Sequence, residues 1–364
     1  QNGSVITGQQ AYSGKEFLTS IDERFRPVSL YNGPDGALYI VDMYRGIIQH
    51  KTYLTPYLKN EINKRSLSQP LNCGRIYKVV PVGSSRSNKV FSEELEKGEL
   101  IALLNAHNGW IRDKAQQLLV DRKFTDSVVF DLLRYNIKTT TLPAGILHSL
   151  WTLEGLKALT YEDVAPLLKH TNSQIRTHAV AVISSLIDKT NCGRYVPLLR
   201  QMIQEKDSIV APYIGFLVNK ITPLSPKDAS ELLSALVSTF PGNPFVADAI
   251  ISNTEDKESD FYRQVVKAVP DTSLAIHKRF KKVINDIKNN QLAANSKQLK
   301  DQYPKGVQLF QTVCQTCHGT DGNGITSLAP PLNNSEWVTG NKSKLIAIVL
   351  YGLSGPVKVH NKLY

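Results

Sequence analysis

Two periods of hydrophobic and polar positions divide the chain, and the change from one to the other falls near residue 90. Before that point, apolar and aromatic residues come in short runs typical of strands, such as "ALYIVDMY" and "GRIYKVVP". The first run follows a Pro34-Asp35-Gly36 turn. The insertion "IIQHKTYLTPYLKNEINKRSL", which contains a helical stretch, separates the two runs. Residues 1–82 are therefore predicted to be β-rich, and "VGSSRSNK" is predicted to be the boundary that follows.

From Ser92 the apolar positions follow a helical period, and the sequence repeats itself. "LLNAHNGWIRDKAQQLL" begins at Leu103 and "LLKHTNSQIRTHAVAVI" begins at Leu167, an offset of 64 positions. "LPAGILHSLWTLEGL" lies about halfway between them, and "DSIVAPYIGFLV" is a looser copy further on. Two-helix units at this spacing are typical of an α-solenoid, and the pattern resembles HEAT repeats. Residues 90–275 are therefore predicted to form an all-α, HEAT-like repeat domain.

Stacked repeats bury a seam of apolar side chains against their neighbours, which sets an expectation for the larger residues of these helices. Trp110, Trp151 and His148 are predicted to be core or capping residues rather than ligands. Arg112 and Arg176, which the repeat aligns, are predicted to make structural contacts between repeats.

No apolar run approaches the roughly 18 residues that a membrane-spanning helix needs. The longest runs, "AVAVISSLI" and "LIAIVLYGL", are predicted to be buried helices. The sequence begins without an initiator Met or a signal-peptide pattern and stops abruptly at Tyr364, so we expect a fragment of a longer protein.

The net charge of +11 is concentrated in one segment of the chain. From His277 to Lys305 there are eight Lys and Arg residues against two Asp, in a context rich in Asn and Gln. We predict a basic linker over residues 276–302. It is either a solvated helix plus linker or a surface that attracts acidic partners or anionic lipid. Nucleic acid is not an expected partner, because the basic run lacks interleaved aromatic residues.

Of the four cysteines, two are far apart in the sequence and two form a motif. Cys73 and Cys192 are predicted to be small buried side chains, with a disulfide between them as the alternative. Cys314, Cys317 and His318 form a Cys-x-x-Cys-His motif, which indicates covalent attachment of a c-type haem.

The spacing of that motif has a physical reason. Two thiols three positions apart on a helical turn can reach both vinyl groups of one porphyrin, and the imidazole of His318 then supplies the fifth iron ligand. The alternatives are a redox dithiol or half of a zinc site. Zinc needs about four ligands, and the next histidine, His360, is isolated.

The flanks of the motif resemble a class I cytochrome c. The short helix "GVQLFQTVC" leads into it, and the glycine-rich loop "HGTDGNG" and then "LAPPL" follow. In that family the carbonyl of a Pro twelve residues after the haem His accepts the His Nδ1–H bond, and Pro330 has that position here. The resemblance further implies that Leu332 packs in the haem pocket. It also implies that Trp337 lies at the haem edge, bonds a propionate or has a plain core role.

Class I cytochromes place a Met on the distal side of the haem, and none follows the motif here. The only methionines, Met43 and Met202, lie far upstream. Either the Met and the family's last helix lie beyond Tyr364, or His360 is the sixth ligand. The first alternative is favoured because "GLSGPVKVHNKLY" resembles the loop before the distal ligand in related dehydrogenases. Residues 303–364 are therefore predicted to be an all-α cytochrome c domain that is truncated at its C-terminus and lacks the distal Met.

The segment "FLTSIDERFRPVSLYNGPDGALYIVDMYRG" resembles the last β-propeller blade of soluble quinoprotein glucose dehydrogenases. In that family an Arg-x-Arg pair, here Arg24 and Arg26, contacts pyrroloquinoline quinone (PQQ), whose three carboxylates suit guanidinium groups. The alternative is a propeller without quinone, in which Arg24 pairs with Asp22 or Glu23. The family's catalytic His and Ca²⁺ ligands come from earlier blades, so no catalytic residue is assigned.

The insertion "RGIIQHKTYLTPYLK" departs from the soluble sugar enzymes. It is more similar to multidomain membrane-associated dehydrogenases, which join a propeller, HEAT-like repeats and a cytochrome c in this order. His50, Lys51 and Tyr53 are candidate cleft residues on this resemblance.

The sequence thus predicts a multidomain chain: a partial β-propeller, an all-α HEAT-like solenoid and a cytochrome c domain. The expected function is electron transfer through haem c, with electrons taken from a PQQ-dependent propeller that oxidises a sugar or alcohol and passed to a respiratory cytochrome, quinone or oxidase. The alternative is a non-catalytic propeller and HEAT binding protein that carries a cytochrome c module. Bacteria attach haem c outside the cytoplasmic membrane, so a periplasmic or other extracytoplasmic protein is expected, either free or associated with the membrane.

Overall fold

The computed structural model describes residues 6–83, 94–294, 302–326, 328–353 and 355–364. These residues form two compact units, Gln1–Arg279 and Phe280–Tyr364. Most of the predicted boundary segment "VGSSRSNK" lies outside the described residues, as does the end of the predicted basic linker.

The first unit opens with a three-stranded antiparallel sheet. Its strands are β1 (Pro27–Asn32), β2 (Leu38–Asp42) and β3 (Arg75–Val79), in that spatial order. Leu30 lies opposite Ile40, and Ile40 lies opposite Tyr77. The two strands predicted from "ALYIVDMY" and "GRIYKVVP" are present as β2 and β3. The described residues of this segment contain a single small sheet and no closed propeller.

The turn between β1 and β2 packs on the first helical repeat. Gly33 N donates to Ala37 O over 2.9 Å, and Gly36 takes a φ of +79°, a left-handed conformation that favours glycine. The Asn108 side-chain amide then donates to the carbonyls of Gly33 (2.9 Å) and Pro34 (3.2 Å). The sheet is therefore fixed to the helices through its hairpin turn.

The insertion between β2 and β3 has its own small core. A 3₁₀ turn at Lys51–Tyr53 precedes helix α1 (Pro56–Lys64), which Thr55 caps by accepting from Leu58 N. Ile62 and Leu67 are buried beneath it.

Helices in two layers make up the rest of the first unit. The bounds are α2 Lys97–Leu103, α3 Gly109–Asp121, α4 Ser127–Thr139, α5 Pro143–Gly155, α6 Tyr161–Val164, α7 Ser173–Ile183, α8 Cys192–Gln204, α9 Ala211–Ile221, α10 Pro226–Thr239, α11 Pro244–Ile251, α12 Glu258–Ala268 and α13 Ala275–Ala294. Helices α3, α5, α7, α9 and α11 contact one another in sequence to form one layer, and α2, α4, α8, α10 and α12 belong to the other.

The repeat read from the sequence reappears in the hydrogen bonds. Asn108 and Asn172 cap α3 and α7 in the same way, each accepting from the backbone N–H two positions on. Arg112 and Arg176 each donate through Nη1 to the two carbonyls five and six residues earlier. Arg176 also pairs with Asp207 of the next repeat. The predicted contact between repeats therefore holds for Arg176, whereas the hydrogen bonds of Arg112 stay within its own repeat.

Trp110, His148 and Trp151 are half-buried, and the last two bridge neighbouring helices. The His148 ring nitrogen Nδ1 lies 2.7 Å from Gln116 Oε1, and Trp151 Nε1 donates to His178 Nδ1 over 3.0 Å. Burial lowers the pKa of both histidines; for His148 the positive charge of Arg112 contributes further to the lowering.

The predicted basic linker begins as a helix. α13 runs from Ala275 to Ala294, and its first turn buries Ile276 and His277. His277 Nε2 lies 2.8 Å from the Val269 carbonyl, so Nε2 carries the proton and Nδ1 accepts from the Tyr262 hydroxyl at 3.1 Å. The lysines at 278, 281 and 282 are exposed.

The second unit takes in α13 from Phe280 onward, and short helices and a two-stranded ribbon follow. These later elements are α14 Pro304–Leu309, a π-helical turn Phe310–Cys314, α15 Gln315–His318, α16 Glu336–Thr339, α17 Lys342–Tyr351, β4 Lys358–Val359 and β5 Lys362–Leu363.

Two sequence predictions about burial are wrong. "AVAVISSLI" is a buried helix as expected, but "LIAIVLYGL" forms α17 with no buried residue. Cys192 is buried, whereas Cys73 is exposed; both are free thiols, so the alternative disulfide is absent.

Candidate haem-binding site

A π-helical turn ends at the first thiol of the motif, and the short helix that follows carries the second. α14 passes without a break into Phe310–Cys314, whose hydrogen bonds skip one residue more than in an α-helix, and then into α15. Cys314 is half-buried and Cys317 is exposed, and both thiols are free. Turns of this kind are frequent at functional sites. The sequence alone did not predict this one, since only an α-helical spacing was read from it.

His318 is oriented by a backbone carbonyl. Its Nδ1 lies 2.7 Å from the Pro330 oxygen. A carbonyl oxygen only accepts, so Nδ1 carries the proton and Nε2 is the nitrogen with a free lone pair. This is the tautomer in which Nε2 can bind a metal, and a hydrogen bond on the opposite nitrogen increases its basicity.

The glycine-rich loop holds the Pro330 segment against the histidine. Gly324 N donates to the His318 carbonyl over 2.8 Å. A Cβ on Gly324 would come within 2.7 Å of Pro331 N and 2.8 Å of Ala329 O, and the residue has a φ of +79°. Glycine is thus required here both for its conformation and for the close approach of the two chain segments.

The described part of this unit has little apolar core of its own. From residue 302 on, Ala329 and Val359 are its only buried apolar side chains. Many large apolar side chains are exposed instead, among them Leu309, Val313, Leu328, Ile346 and Val349, which are 48–69 % exposed. A folded unit normally buries such residues. An apolar porphyrin is a ligand that they suit, and the donor set of two thiols and one oriented imidazole suits a c-type haem.

The residues considered for the distal side are engaged within the same unit. His360 Nε2 lies 3.0 Å from the Asn334 carbonyl, and the His360 backbone N–H donates to the Glu336 carboxylate. The Trp337 indole N–H donates to the Lys358 carbonyl over 2.8 Å rather than being left for a propionate. Leu332 is half-buried. The described residues contain no group of three or more His, Cys, Asp or Glu that could hold a metal ion on its own, as a zinc site would need.

The two arginines considered for quinone binding contact backbone carbonyls. Arg24 donates through Nε to Gln69 O (2.9 Å) and through Nη2 to Ser66 O (3.1 Å). Arg26 donates through Nη1 to Phe25 O over 3.0 Å. Asp22 and Glu23 were the alternative partners of Arg24. Glu23 pairs with Arg65 instead, and Asp22 accepts from the Arg24 backbone N–H over 3.0 Å. Arg24 therefore helps to hold the insertion in place.

The candidate cleft residues of the insertion are exposed where their side chains are described. His50 Nδ1 accepts from the Thr52 backbone N–H at 3.3 Å, and its ring lies 5.9 Å from that of Tyr53. The side chain of Lys51 lies outside the described residues.

Asp42 is a buried charged residue that the sequence reading missed. It is fully buried and accepts from the backbone N–H groups of Arg26 (2.7 Å) and Tyr44 (2.8 Å) and from the Arg75 guanidinium (2.8 Å). Burial alone would raise the pKa of Asp42, but these hydrogen bonds and the charge of Arg75 outweigh it, so the pKa is lowered. The alternation of side chains along a strand could have predicted this burial, because Asp42 stands two positions after the buried Ile40 and therefore on the same face.

Comparison with known families supports the second unit. A family model described as "Cytochrome C oxidase, cbb3-type, subunit III" matches residues 301–357, and one described as "Domain of unknown function (DUF7133)" matches residues 1–83. No curated protein and no solved structure matches the chain. Residues 301–357 are thus a cytochrome c module, which implies a haem and electron transfer with redox partners. Modules of this type are typically extracytoplasmic.

A search of the described helices for membrane spans finds none that is both long and apolar enough.

Proposed function

We propose that the second unit carries one covalently attached haem c and serves as a one-electron carrier. Cys314 and Cys317 would form the two thioether bonds, and His318 would bind the iron through Nε2. The observation that supports the proposal best is the 2.7 Å contact between His318 Nδ1 and the Pro330 carbonyl. His318 directly follows Cys317, the second of the two free thiols.

Each part of the chain has a definite task in this arrangement. The thiols would add across the two vinyl groups of the haem, and each thiol hydrogen would end on a vinyl carbon. The Pro330 carbonyl fixes the imidazole tautomer, and Leu332 and the exposed apolar side chains would shield the porphyrin from water. When bound, the haem iron supplies a centre that alternates between the ferric and ferrous states.

Expression of the full 364-residue chain together with haem-maturation machinery tests the proposal. We expect a Soret band and haem that stays with the protein after acid-acetone extraction. The Cys314→Ala/Cys317→Ala variant should lose both signals, while Cys73→Ala, which removes an exposed thiol of the first unit, should keep them. Extraction of all haem from the unaltered chain would contradict the covalent assignment.

At a finer level, we propose that the chain belongs to a larger quinohaemoprotein. It would have propeller strands at 1–82, HEAT-like repeats at 90–275, a basic connection at 276–302 and the cytochrome at 303–364. A PQQ- and Ca²⁺-dependent propeller would oxidise a sugar or alcohol, and the haem would pass electrons to a respiratory cytochrome, quinone or oxidase outside the cytoplasm. The order of the segments and the Arg24–Arg26 pair support this reading, which rests on resemblance.

The alternative function is that of an electron-transfer adaptor, in which the first unit binds a partner without catalysis. It is favoured by the engagement of both Arg24 and Arg26 with backbone carbonyls. Adding PQQ and Ca²⁺ to the full-length apoprotein separates the two. Dye reduction by an aldose or alcohol supports the dehydrogenase, whereas an intact haem spectrum without quinone binding supports the adaptor.

A further inference from the structure

A cavity lies between the end of β2 and the insertion that follows it. Its volume is about 590 Å³, which falls within the range of about 300–1,000 Å³ typical of small-molecule sites. It is lined by the chain just after β2, by α1 and by the loop that leads to β3. None of the residues assigned above to the haem or to electron transfer belongs to it.

The cavity wall is mainly apolar. Ile62 is buried at its base, and three further apolar side chains that line it, Met43, Ile48 and Leu71, are 39–58 % exposed. Water therefore covers apolar surface that a ligand would remove from it, a gain of roughly 25 cal/mol for each Å² buried.

Arg45 is the single charged residue among those that line the cavity. It is half-buried, and within the described parts of the chain its guanidinium forms no hydrogen bond or ion pair. Two other arginines of this segment do have partners. Arg24 donates to the carbonyls of Gln69 and Ser66, and Arg75 pairs with Asp42. A guanidinium in this setting is a ready partner for a planar carboxylate, which it can bind through two parallel hydrogen bonds.

The wall is held in place independently of any ligand. Arg24 donates to the carbonyl of Gln69, one of the lining residues, over 2.9 Å. Gly46, next to Arg45, packs so closely on Leu67 that an added Cβ would lie 2.5 Å from the Leu67 carbonyl oxygen. The cavity is thus a preformed feature, as is usual for small-molecule sites.

We propose that this cavity binds a small organic carboxylate, with its anionic group on Arg45 and its apolar body against Met43, Ile48 and Leu71. The volume fits a molecule of a few fused rings or a medium-length acyl chain. It is too small for a folded protein partner. The single guanidinium selects an anion over a neutral molecule of the same shape.

Fluorescence titration of the full chain with 1-pyrenebutyrate tests the proposal, with the neutral amide 1-pyrenebutanamide as the matched probe. We expect the acid to bind at least tenfold more tightly than the amide, equivalent to about 1.4 kcal/mol. Arg45→Gln should remove this preference and leave amide binding unchanged, while Arg45→Lys should keep part of it. Ser68→Trp, which fills the cavity from its wall, should abolish binding of both probes.

Arg263→Gln is the control, because Arg263 is an exposed arginine of α12 outside the cavity. Circular dichroism and the Soret band of the variants establish that they fold. Equal affinity of the two probes, an acid preference that survives Arg45→Gln, or no binding of either probe to the unaltered chain would each overturn the proposal.

Discussion

Helices α7 and α17 carry similar apolar runs, yet one is buried and the other is not. α7 buries six of its residues between α5 and α9. α17 buries none, and Ile346 and Val349 are 57 % and 69 % exposed. The repeat helices obtain their apolar partners from the polypeptide itself. The cytochrome module has the same kind of side chain without such partners, which is what a unit organised around a prosthetic group requires.

The largest expected effect comes from removing the covalent haem. The Cys314→Ala/Cys317→Ala variant lacks the covalent haem, on which the apolar side chains of the second unit would pack. We therefore expect proteolysis after residue 302 to become at least about tenfold faster. Fragments of the repeat helices should persist. Limited proteolysis with mass spectrometry measures both, with Cys73→Ala as control. Equal protease resistance with and without haem would remove the contrast between the two units.

Truncating a buried side chain of the repeat helices should destabilise the first unit and leave the haem in place. Leu150 on α5 is fully buried, so Leu150→Ala should destabilise the first unit by about 2–5 kcal/mol and leave the Soret spectrum unchanged. Leu132→Ala on α4, where the side chain is exposed, is the control and should cost far less. Denaturant unfolding followed by circular dichroism measures the difference. A loss of haem in Leu150→Ala would show that the two units are not independent.

Two glycines separate conformational strain from steric fit in the haem loop. Gly324 and Gly352 share a φ of +79°, so alanine at either is strained, by on the order of 1–3 kcal/mol. Only at Gly324 does a Cβ also meet the backbone around Pro330, whereas nothing lies within 4 Å at Gly352. Gly324→Ala should therefore lower haem occupancy, measured as the Soret-to-protein absorbance ratio, well below that of Gly352→Ala. Equal ratios would contradict the role given to the loop.

The smallest expected effect is a pH dependence confined to the first unit. Burial lowers the pKa of His148 and His178 below the unfolded value of about 6.5. Their contribution to stability is therefore complete above about pH 6.5 and is lost as the pH falls through the folded values. Protonated His178 could no longer accept from the Trp151 N–H.

Urea unfolding of the full chain at about pH 8 and pH 5 measures this dependence, and we expect a lower free energy of unfolding at the lower pH. The His148→Gln/His178→Gln variant should have a shallower pH dependence than the unaltered chain. His107→Gln, which changes an exposed histidine, should not. An undiminished slope in the double variant would assign the effect to other groups.

Local sequence patterns predicted much of the fold. The turn at Pro34–Gly36, the capping asparagines and the helical periods are short-range features, so the sheet, the paired helices and the offset of 64 between Asn108 and Asn172 could be read directly. Burial partners are long-range features. The exposure of α17, the buried start of α13 and the structural use of Arg24 followed from packing that no local pattern encodes.

The candidate site divides in the same way. The thiols, His318 and Pro330 came from spacing, because a hydrogen bond across twelve residues is part of the pattern that the flanks resemble. The sequence did not predict the π-helical turn, which depends on backbone geometry. It did not single out Arg45 either, because that residue stands out only through the lack of a partner within the described residues.

Intact-mass spectrometry of the matured full chain, combined with its absorption spectrum, determines whether Cys314 and Cys317 hold a covalent haem. We expect a mass increase of one haem that survives denaturation and disappears in Cys314→Ala/Cys317→Ala. We also expect His318→Ala to keep the added mass but to shift the Soret band through loss of the axial imidazole. A matured chain with the bare polypeptide mass and no Soret band would contradict the covalent assignment.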